Sequence, residues 1–243
     1  MKIFIAGHRG MVGSAIRRHL LAAGQPESRL LTRSRDELDL MDQRYLGLIA
    51  EKFDGGSILL NGKKVSGWRI PKAVSRGVGY VPSERKVEGM VGGYSAAENI
   101  VLTHPGKAAF GPFVFPWKRN KIAQEWFTTL DVRPNDIALE LDRFSGGNQQ
   151  KVVLARELSR ELRLLVASQP TRGLDVGSIE FVHEQIVATR DSGIPVLIVA
   201  TELDEATQLG DRIAVMYRGK VVGVVPSSTS RSVLGQMMAG ISA

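Results

Sequence analysis

The stretch that most constrains this fold lies near the middle of the chain and reads FSGGNQQKVVLARELSR. Its apolar side chains recur at helical spacing and predict a helix over residues 149–159. Ser145, Gly146 and Gly147 precede that helix, whose first N–H groups are free to bind an anion. N-capping alone explains a serine here, but adjacent glycines are unnecessary for capping and permit close approach of a ligand.

Composition narrows the possible classes of protein. The 243 residues allow one large domain or two small ones, and 43% hydrophobic with 23% charged residues is typical of a folded globular chain. No apolar run approaches the ~18 residues of a membrane span, and no signal peptide is evident, so we expect a cytoplasmic protein. With no cysteine and four scattered histidines, we predict no disulfide, thiol nucleophile or metal site.

The net charge of +7 has two open interpretations. It favours anionic ligands such as phosphates, but a solvated basic surface explains it equally well. The basic run at Lys118, Arg119 and Lys121 has no nucleic-acid-binding motif beside it, so we predict no nucleic-acid partner.

The N-terminal piece has the order strand, glycine turn, helix. An apolar run over residues 2–6 predicts a buried parallel strand, and residues 14–23 have the apolar spacing of a helix. Between them, Gly7, Gly10 and Gly13 suit a tight turn, close approach of a pyrophosphate and helix packing. This order is typical of the first half of a Rossmann-like βαβ nucleotide-binding unit.

The same segment resembles GDP-L-fucose synthase, on the strength of FIAGHRGMVGSAIRRHL and TRSRDELDLMD within residues 1–42. The resemblance implies NADP on the glycine turn, with Arg9 and Arg35 facing the extra adenosine phosphate. Reductase chemistry in that family needs a Tyr-x-x-x-Lys pair, which none of the four tyrosines provides. We therefore expect no working synthase, and an NADP-binding remnant is the alternative function.

The remainder of the chain, from about residue 55 to 240, resembles the ABC-type ATPases. FSGGNQQK is similar to their signature motif, GVGYVPSERKVEGMV to the segment that replaces the glutamine loop, and LLVASQPTRGLDVGS to the Walker B strand and D-loop. GSILLNGKKVSGW resembles the strand pair after the Walker A helix, and VLIVATELDEATQLGDRIAVMYRGKVVG resembles the switch strand and closing hairpin. Within that family, the chain resembles the C-terminal ATPase half of nucleoside and sugar importers.

This resemblance implies an α/β fold, ATP with Mg²⁺ as ligand, and a place at the inner face of the cell membrane beside transmembrane permease subunits. It also implies a second ABC ATPase domain with an intact Walker A, whose ATP this chain would contact. The implied contact residues are Ser145, Gly146, Gly147, Asn148 and Gln149 of the signature and Gly173, Leu174 and Asp175 of the D-loop.

Departures from the family pattern limit the expected chemistry. No Gly-x-x-x-x-Gly-Lys-Ser/Thr sequence is present, so no Walker A lysine or hydroxyl holds the phosphates and magnesium. Ser168 and Gln169 occupy the Walker B aspartate and glutamate positions, and Thr201 occupies the switch histidine position. Gln169 cannot accept a proton, although it can orient a water. We therefore expect no ATP hydrolysis by this chain alone.

The predicted fold is α/β, an incomplete ABC-type P-loop NTPase domain over residues 55–243 behind a Rossmann-like βα fragment over residues 1–48. Two structural outcomes of joining these two fragments in one chain remain open. The hairpin at residues 57–65 would lack neighbours in a fusion product that folds poorly. Alternatively, strand 2–6 and helix 14–23 would occupy the vacated strand and Walker A helix positions and repair the sheet.

Overall fold

The computed structural model describes residues 3–6, 59–60, 63–64, 70–104, 106, 108–110, 113–218 and 220–241. The strands, in chain order, are β1 (Ile3–Ala6), β2 (Leu59–Leu60), β3 (Lys63–Lys64), β4 (Val78–Val81), β5 (Ala109–Phe110), β6 (Phe113–Val114), β7 (Leu164–Ser168), β8 (Val196–Ala200), β9 (Arg212–Tyr217) and β10 (Lys220–Pro226). The helices are α1 (Ile70–Ser75), α2 (Ala96–Val101), α3 (Pro116–Thr129), α4 (Gly146–Leu158), α5 (Val176–Asp191), α6 (Leu203–Leu209) and α7 (Arg231–Met238).

The chain divides into two compact units. One comprises Met1–Ser75 with Pro195–Ala243, and the other comprises Arg76–Ile194. Among the described helices, none has both the length and the apolar character needed to cross a membrane.

The first unit contains a sheet with the strand order β10-β9-β1-β8. Strand β1 is parallel to both of its neighbours, with Ile3 opposite Leu197 on β8 and Phe4 opposite Ile213 on β9. Residues 2–6 were expected to form a buried parallel strand, and the pairing of β1 on both sides confirms a strand at residues 3–6. This pairing places β1 inside the sheet. That it takes the vacated strand position stays a prediction, and helix 14–23 lies outside the described residues.

The second unit is built around the parallel pair β4 and β7, which run in register from Val78 opposite Leu164 to Val81 opposite Ala167. All five residues of β7 are buried, as a continuous apolar run predicts for a strand covered on both faces. Helix α4 contacts β4, α2, α3 and α5. The structure starts α4 at Gly146, before the predicted 149–159, because Ser145 caps the helix one turn earlier.

Candidate nucleotide-binding site

The exposed N-terminus of α4 is the first part of the candidate site. The Ser145 Oγ accepts a hydrogen bond from the Asn148 N–H at 3.5 Å and one from the Asn148 Nδ2 at 2.9 Å. Ser145 itself is exposed. The helix therefore presents its positive dipole end and a hydroxyl at a surface, an arrangement that suits an anion.

The two glycines of the expected signature motif also have close neighbours within the chain. A Cβ on Gly146 would lie 2.6 Å from the Arg85 Nη2, and a Cβ on Gly147 would lie 2.0 Å from the Ser178 Oγ. Real Cβ atoms do not approach other atoms so closely. The sequence suggested that the two glycines let a ligand approach the backbone closely. The structure shows a second requirement for glycine, because a side chain at either position would collide with Arg85 or Ser178.

Gln149 faces inward rather than toward the surface. Its side chain is 2% exposed, and its Nε2 donates to the carbonyl oxygens of Phe144 at 3.0 Å and Leu141 at 3.3 Å. Asn148 accepts a hydrogen bond from the Arg133 N–H on its Oδ1 at 2.8 Å. These bonds fix the loop before α4, and the contact of either side chain with ATP stays a prediction.

The residues expected to form the D-loop lie directly beside the signature. Gly173 has φ of 67°, and the turn it forms with Leu174 leads to Asp175, the N-cap of α5. The Asp175 carboxylate accepts from the Ser178 N–H at 2.9 Å and from the Ser178 Oγ at 2.7 Å, and these hydrogen bonds lower the pKa of Asp175. Its Oδ2 lies 3.5 Å from the position of a Cβ on Gly147, so the structure brings the two predicted motifs together.

The end of β7 carries the two residues expected at the Walker B positions. Ser168 is 1% exposed, and its Oγ has no hydrogen-bond partner within the described part of the chain. Gln169 follows in the left-handed region with φ of 43°, which is unusual for a residue with a side chain. Over the described residues there is no His, Cys, Asp and Glu cluster that could hold a metal ion. A hydroxyl and an amide here supply no negative charge to Mg²⁺, so the donor set does not fit that ion.

Sequence reasoning missed a group of charged residues beside the signature. Arg85 donates from Nη1 to the Arg172 carbonyl oxygen at 3.1 Å and from Nε to the Gln149 Oε1 at 3.5 Å. Arg172 in turn forms an ion pair with Glu84. The only sequence signal was the presence of charged residues in both loops, SERK and PTRG, which does not predict that the loops meet.

The remaining predicted residues lie elsewhere or outside the described parts of the chain. Thr201 directly follows β8 and is exposed. Gly7, Arg9, Gly10, Gly13 and Arg35 lie outside the described residues.

The fold is α/β with parallel strands, and the site combines a Ser-Gly-Gly helix start with an adjoining Asp-capped helix. These features are typical of the ABC-type ATPase cassette. The family model described as ABC transporter matches residues 45–172, and the chain belongs to this family.

Two named relatives are similar in sequence. The nucleoside import ATP-binding protein NupA of Lactococcus lactis subsp. cremoris is 42% identical over 193 residues, which is 78% of this chain and 38% of NupA. The guanosine import ATP-binding protein NupO of Bacillus subtilis is 40% identical over 192 residues, again 78% of this chain and 38% of the relative. The chain thus spans well under half the length of these relatives.

Solved structures confirm the fold. The ATP-binding cassette MJ1267 matches with a TM-score of 0.65 and 17% identity over 99% of this chain and 87% of that cassette. The dimeric structure of MJ0796, a bacterial ABC transporter cassette, matches with a TM-score of 0.62 and 18% identity over 94% and 86%. The predicted α/β fold of an ABC-type P-loop NTPase is therefore correct.

Proposed function

We propose that this chain is an ATP-binding subunit, or half-subunit, of an ABC importer for nucleosides or sugars. In this role it supplies its signature motif to ATP held by a partner domain and does not hydrolyse ATP alone. The observation that carries the proposal is the contrast between two parts of the site. The exposed start of α4 is intact and adjoins Asp175, whereas the end of β7 offers only Ser168 and Gln169.

The chemistry of the signature follows from its geometry. Free N–H groups at the start of α4 and the Ser145 hydroxyl stabilise negative charge on a γ-phosphate, with no proton transfer required. Because the β7 end does not fit Mg²⁺, the metal would enter bound to the partner's ATP. We derive no step through a metal held by this chain, and Gln169 at most orients a water.

The partners follow from the same proposal. A second ABC ATPase domain with an intact Walker A would hold ATP, and transmembrane permease subunits would place the pair at the inner face of the cell membrane. Import of nucleosides is supported by the names of NupA and NupO, a nucleoside and a guanosine import ATP-binding protein. We propose no nucleic-acid partner.

The test measures ATP turnover by the purified chain, then its association with an ABC domain that carries Walker A and a Glu→Gln change to retain ATP. We expect no turnover alone and ATP-dependent association with this partner. Ser145→Ala should abolish the association, whereas Ser95→Ala, which removes the N-cap serine of α2, should preserve it. Magnesium-dependent turnover by the chain alone would contradict the proposal.

A second candidate function is NADP binding by the N-terminal piece. It is favoured by the position of β1 between two parallel strands, because ligands of open α/β sheets bind beyond the carboxyl ends of such strands. Gly7, Gly10 and Gly13 follow that end in sequence. Calorimetry with NADPH and with NADH tests it: selective binding of NADPH that Arg9→Ala or Arg35→Ala removes would support an NADP site.

The division into residues 1–48 and 55–243 stays a prediction, and so does the alternative of a non-functional fusion product. Size-exclusion chromatography of the purified chain addresses the latter. A monodisperse protein with cooperative unfolding is inconsistent with a broken fusion, whereas an aggregated chain would favour it.

A further inference from the structure

The segment that replaces the glutamine loop is joined to the signature helix at both of its ends. Arg85–Gly89 form a single π-helical turn after Glu84. At its far end, the Gly89 carbonyl oxygen accepts a hydrogen bond from the Nη1 of Arg156 on α4 at 2.6 Å. Arg156 is buried beside Glu157, so this end of the turn is fixed to the body of the helix.

At the near end of the turn, the Arg85 guanidinium group contacts both α4 and the turn before α5. Arg85 donates to the Gln149 side chain on α4 and to the Arg172 carbonyl oxygen in the turn before α5. Its Nη2 lies 2.6 Å from where a Cβ on Gly146 would be. The planar fork of Arg85 thus lies against the signature backbone and the D-loop backbone at the same time.

The partners of Arg85 are themselves fixed. The Gln149 amide nitrogen is engaged by the Leu141 and Phe144 carbonyl oxygens, which leaves the amide oxygen for Arg85. Arg172 is held by Glu84, the residue before Arg85. The start of α4 has a second link to the turn before α5, because the Gln150 Nε2 donates to the Pro170 carbonyl oxygen at 2.7 Å. Loss of the Arg85 guanidinium would therefore loosen the start of α4 relative to the turn that leads to Asp175, without separating them.

We infer that Arg85 is a positioning residue, which holds the start of the signature helix and the D-loop turn in one fixed geometry. Any effect of Arg85 on ATP-dependent association with a partner domain rests on the proposed function. The role of Arg85 in positioning the helix start and the turn does not depend on that function. Lysine is a poor substitute, because a single ammonium on a flexible stem cannot reproduce a planar fork that bonds in two directions.

The first experiment tests the positioning in the full chain, with no nucleotide and no partner. Hydrogen exchange is compared for wild type, Arg85→Ala and Arg231→Ala, the last of which removes an exposed arginine paired with Asp204. We expect Arg85→Ala to increase exchange in peptides covering residues 144–150 and 170–176, and Arg231→Ala to change neither. Unchanged exchange in both peptides of Arg85→Ala would overturn the inference.

The second experiment measures ATP-dependent association with the Walker A-bearing partner domain described above. Arg85→Ala should weaken it about 10-fold or more, the usual effect of losing a hydrogen bond from a charged group. Arg85→Lys should recover only part of the loss, and Arg231→Ala should match wild type. Full recovery by lysine would show that charge alone matters and would overturn the positioning role.

The two experiments separate the two proposals. If the wild-type chain shows no ATP-dependent association, the proposed function fails, and the exchange data alone decide the role of Arg85. If Arg85→Ala unfolds, Arg85→Lys and Arg85→Gln provide folded variants for the same exchange comparison. Protection equal to wild type in either of these two variants would contradict a requirement for the guanidinium fork.

Discussion

Gly147 illustrates how a single residue links the two predicted motifs. A Cβ at this position would lie 2.0 Å from the Ser178 Oγ and 2.9 Å from the Ser178 Cβ. Rotating the Ser178 hydroxyl away would break its hydrogen bond to the Asp175 Oδ2 and would leave the close approach to the Ser178 Cβ unrelieved.

We therefore predict that Gly147→Ala lowers the free energy of unfolding by about 1–3 kcal/mol, the usual cost of an overpacked site. Urea unfolding followed by circular dichroism measures this. Gly235→Ala is the matched control: it adds a methyl group to α7 where nothing lies within 4 Å, and it should be neutral or stabilising. Adding Ser178→Gly to Gly147→Ala should recover stability, and no recovery would contradict the steric explanation.

Asp175 provides a prediction of pH dependence. Its pKa is lowered by hydrogen bonds from the Ser178 hydroxyl and N–H, so the folded state binds this proton more weakly than the unfolded state. The resulting stabilisation is present above the ordinary aspartate pKa and is lost as the pH falls through the lowered value.

Thermal unfolding between pH 7 and pH 3 is the measurement. Wild type should lose more stability on acidification than Asp175→Asn, because the asparagine side chain caps α5 without titrating in this range. An identical acid-induced loss in the two proteins would mean that Asp175 does not contribute to the pH dependence.

At the scale of elements, α4 is anchored by a buried group of charges near its C-terminus. The Glu157 carboxylate accepts from the Arg156 Nε at 2.8 Å, the Arg160 Nη2 at 2.5 Å and the Tyr80 N–H of β4 at 3.3 Å. Its side chain is only 3% exposed. The signature at one end of the helix is thereby fixed relative to β4 by contacts at the other end.

Glu157→Gln should lower the free energy of unfolding by about 3–5 kcal/mol, because it removes the buried carboxylate charge with which the buried guanidinium groups of Arg156 and Arg160 pair. Glu140→Gln is the control, since it breaks an exposed ion pair with Arg143 and should cost under about 1 kcal/mol. Denaturant unfolding of both variants provides the comparison. Equal losses would show that burial of the Glu157 group does not determine its contribution.

The elements themselves could largely be predicted from local sequence, but their contacts could not. The apolar spacing after Ser145 predicted α4 to within a turn. The resemblance of LLVASQPTRGLDVGS to a Walker B segment implied a strand, which the structure places at Leu164–Ser168. Arg85 escaped prediction because its partners Gln149 and Arg172 lie 64 and 87 positions away in the chain. Helical and strand periodicity report local structure only, whereas contacts between residues so far apart in sequence depend on how the elements pack.

At the scale of the whole molecule, the N-terminal piece contributes a strand to a sheet made mainly from the C-terminal part of the chain. Ile3–Ala6 lie between β8 and β9 and are parallel to both. Sequence reasoning offered this arrangement only as one alternative, because a short apolar run carries no information on which distant strands it will join. Without β1, the facing edges of β8 and β9 would both lack a partner.

This position leads to a prediction for the stability of the unit that contains β1. In a strand with a neighbour on each side, every N–H points toward one of them, so Ile5→Pro removes a ladder hydrogen bond and leaves a carbonyl oxygen unsatisfied. We expect a loss of at least about 2 kcal/mol of unfolding free energy, and aggregation through the released strand edges.

Val222→Pro is the matched control for this change. Val222 lies in β10, the end strand of the order β10-β9-β1-β8, at the point where its register with β9 shifts between Val221 and Gly223. Proline is tolerated at such bulges in edge strands, so this variant should remain close to wild type in urea unfolding and size-exclusion chromatography. If Ile5→Pro behaved like Val222→Pro, β1 would not be a structural member of the sheet. The N-terminal piece would then be an appendage rather than the replacement for a lost strand.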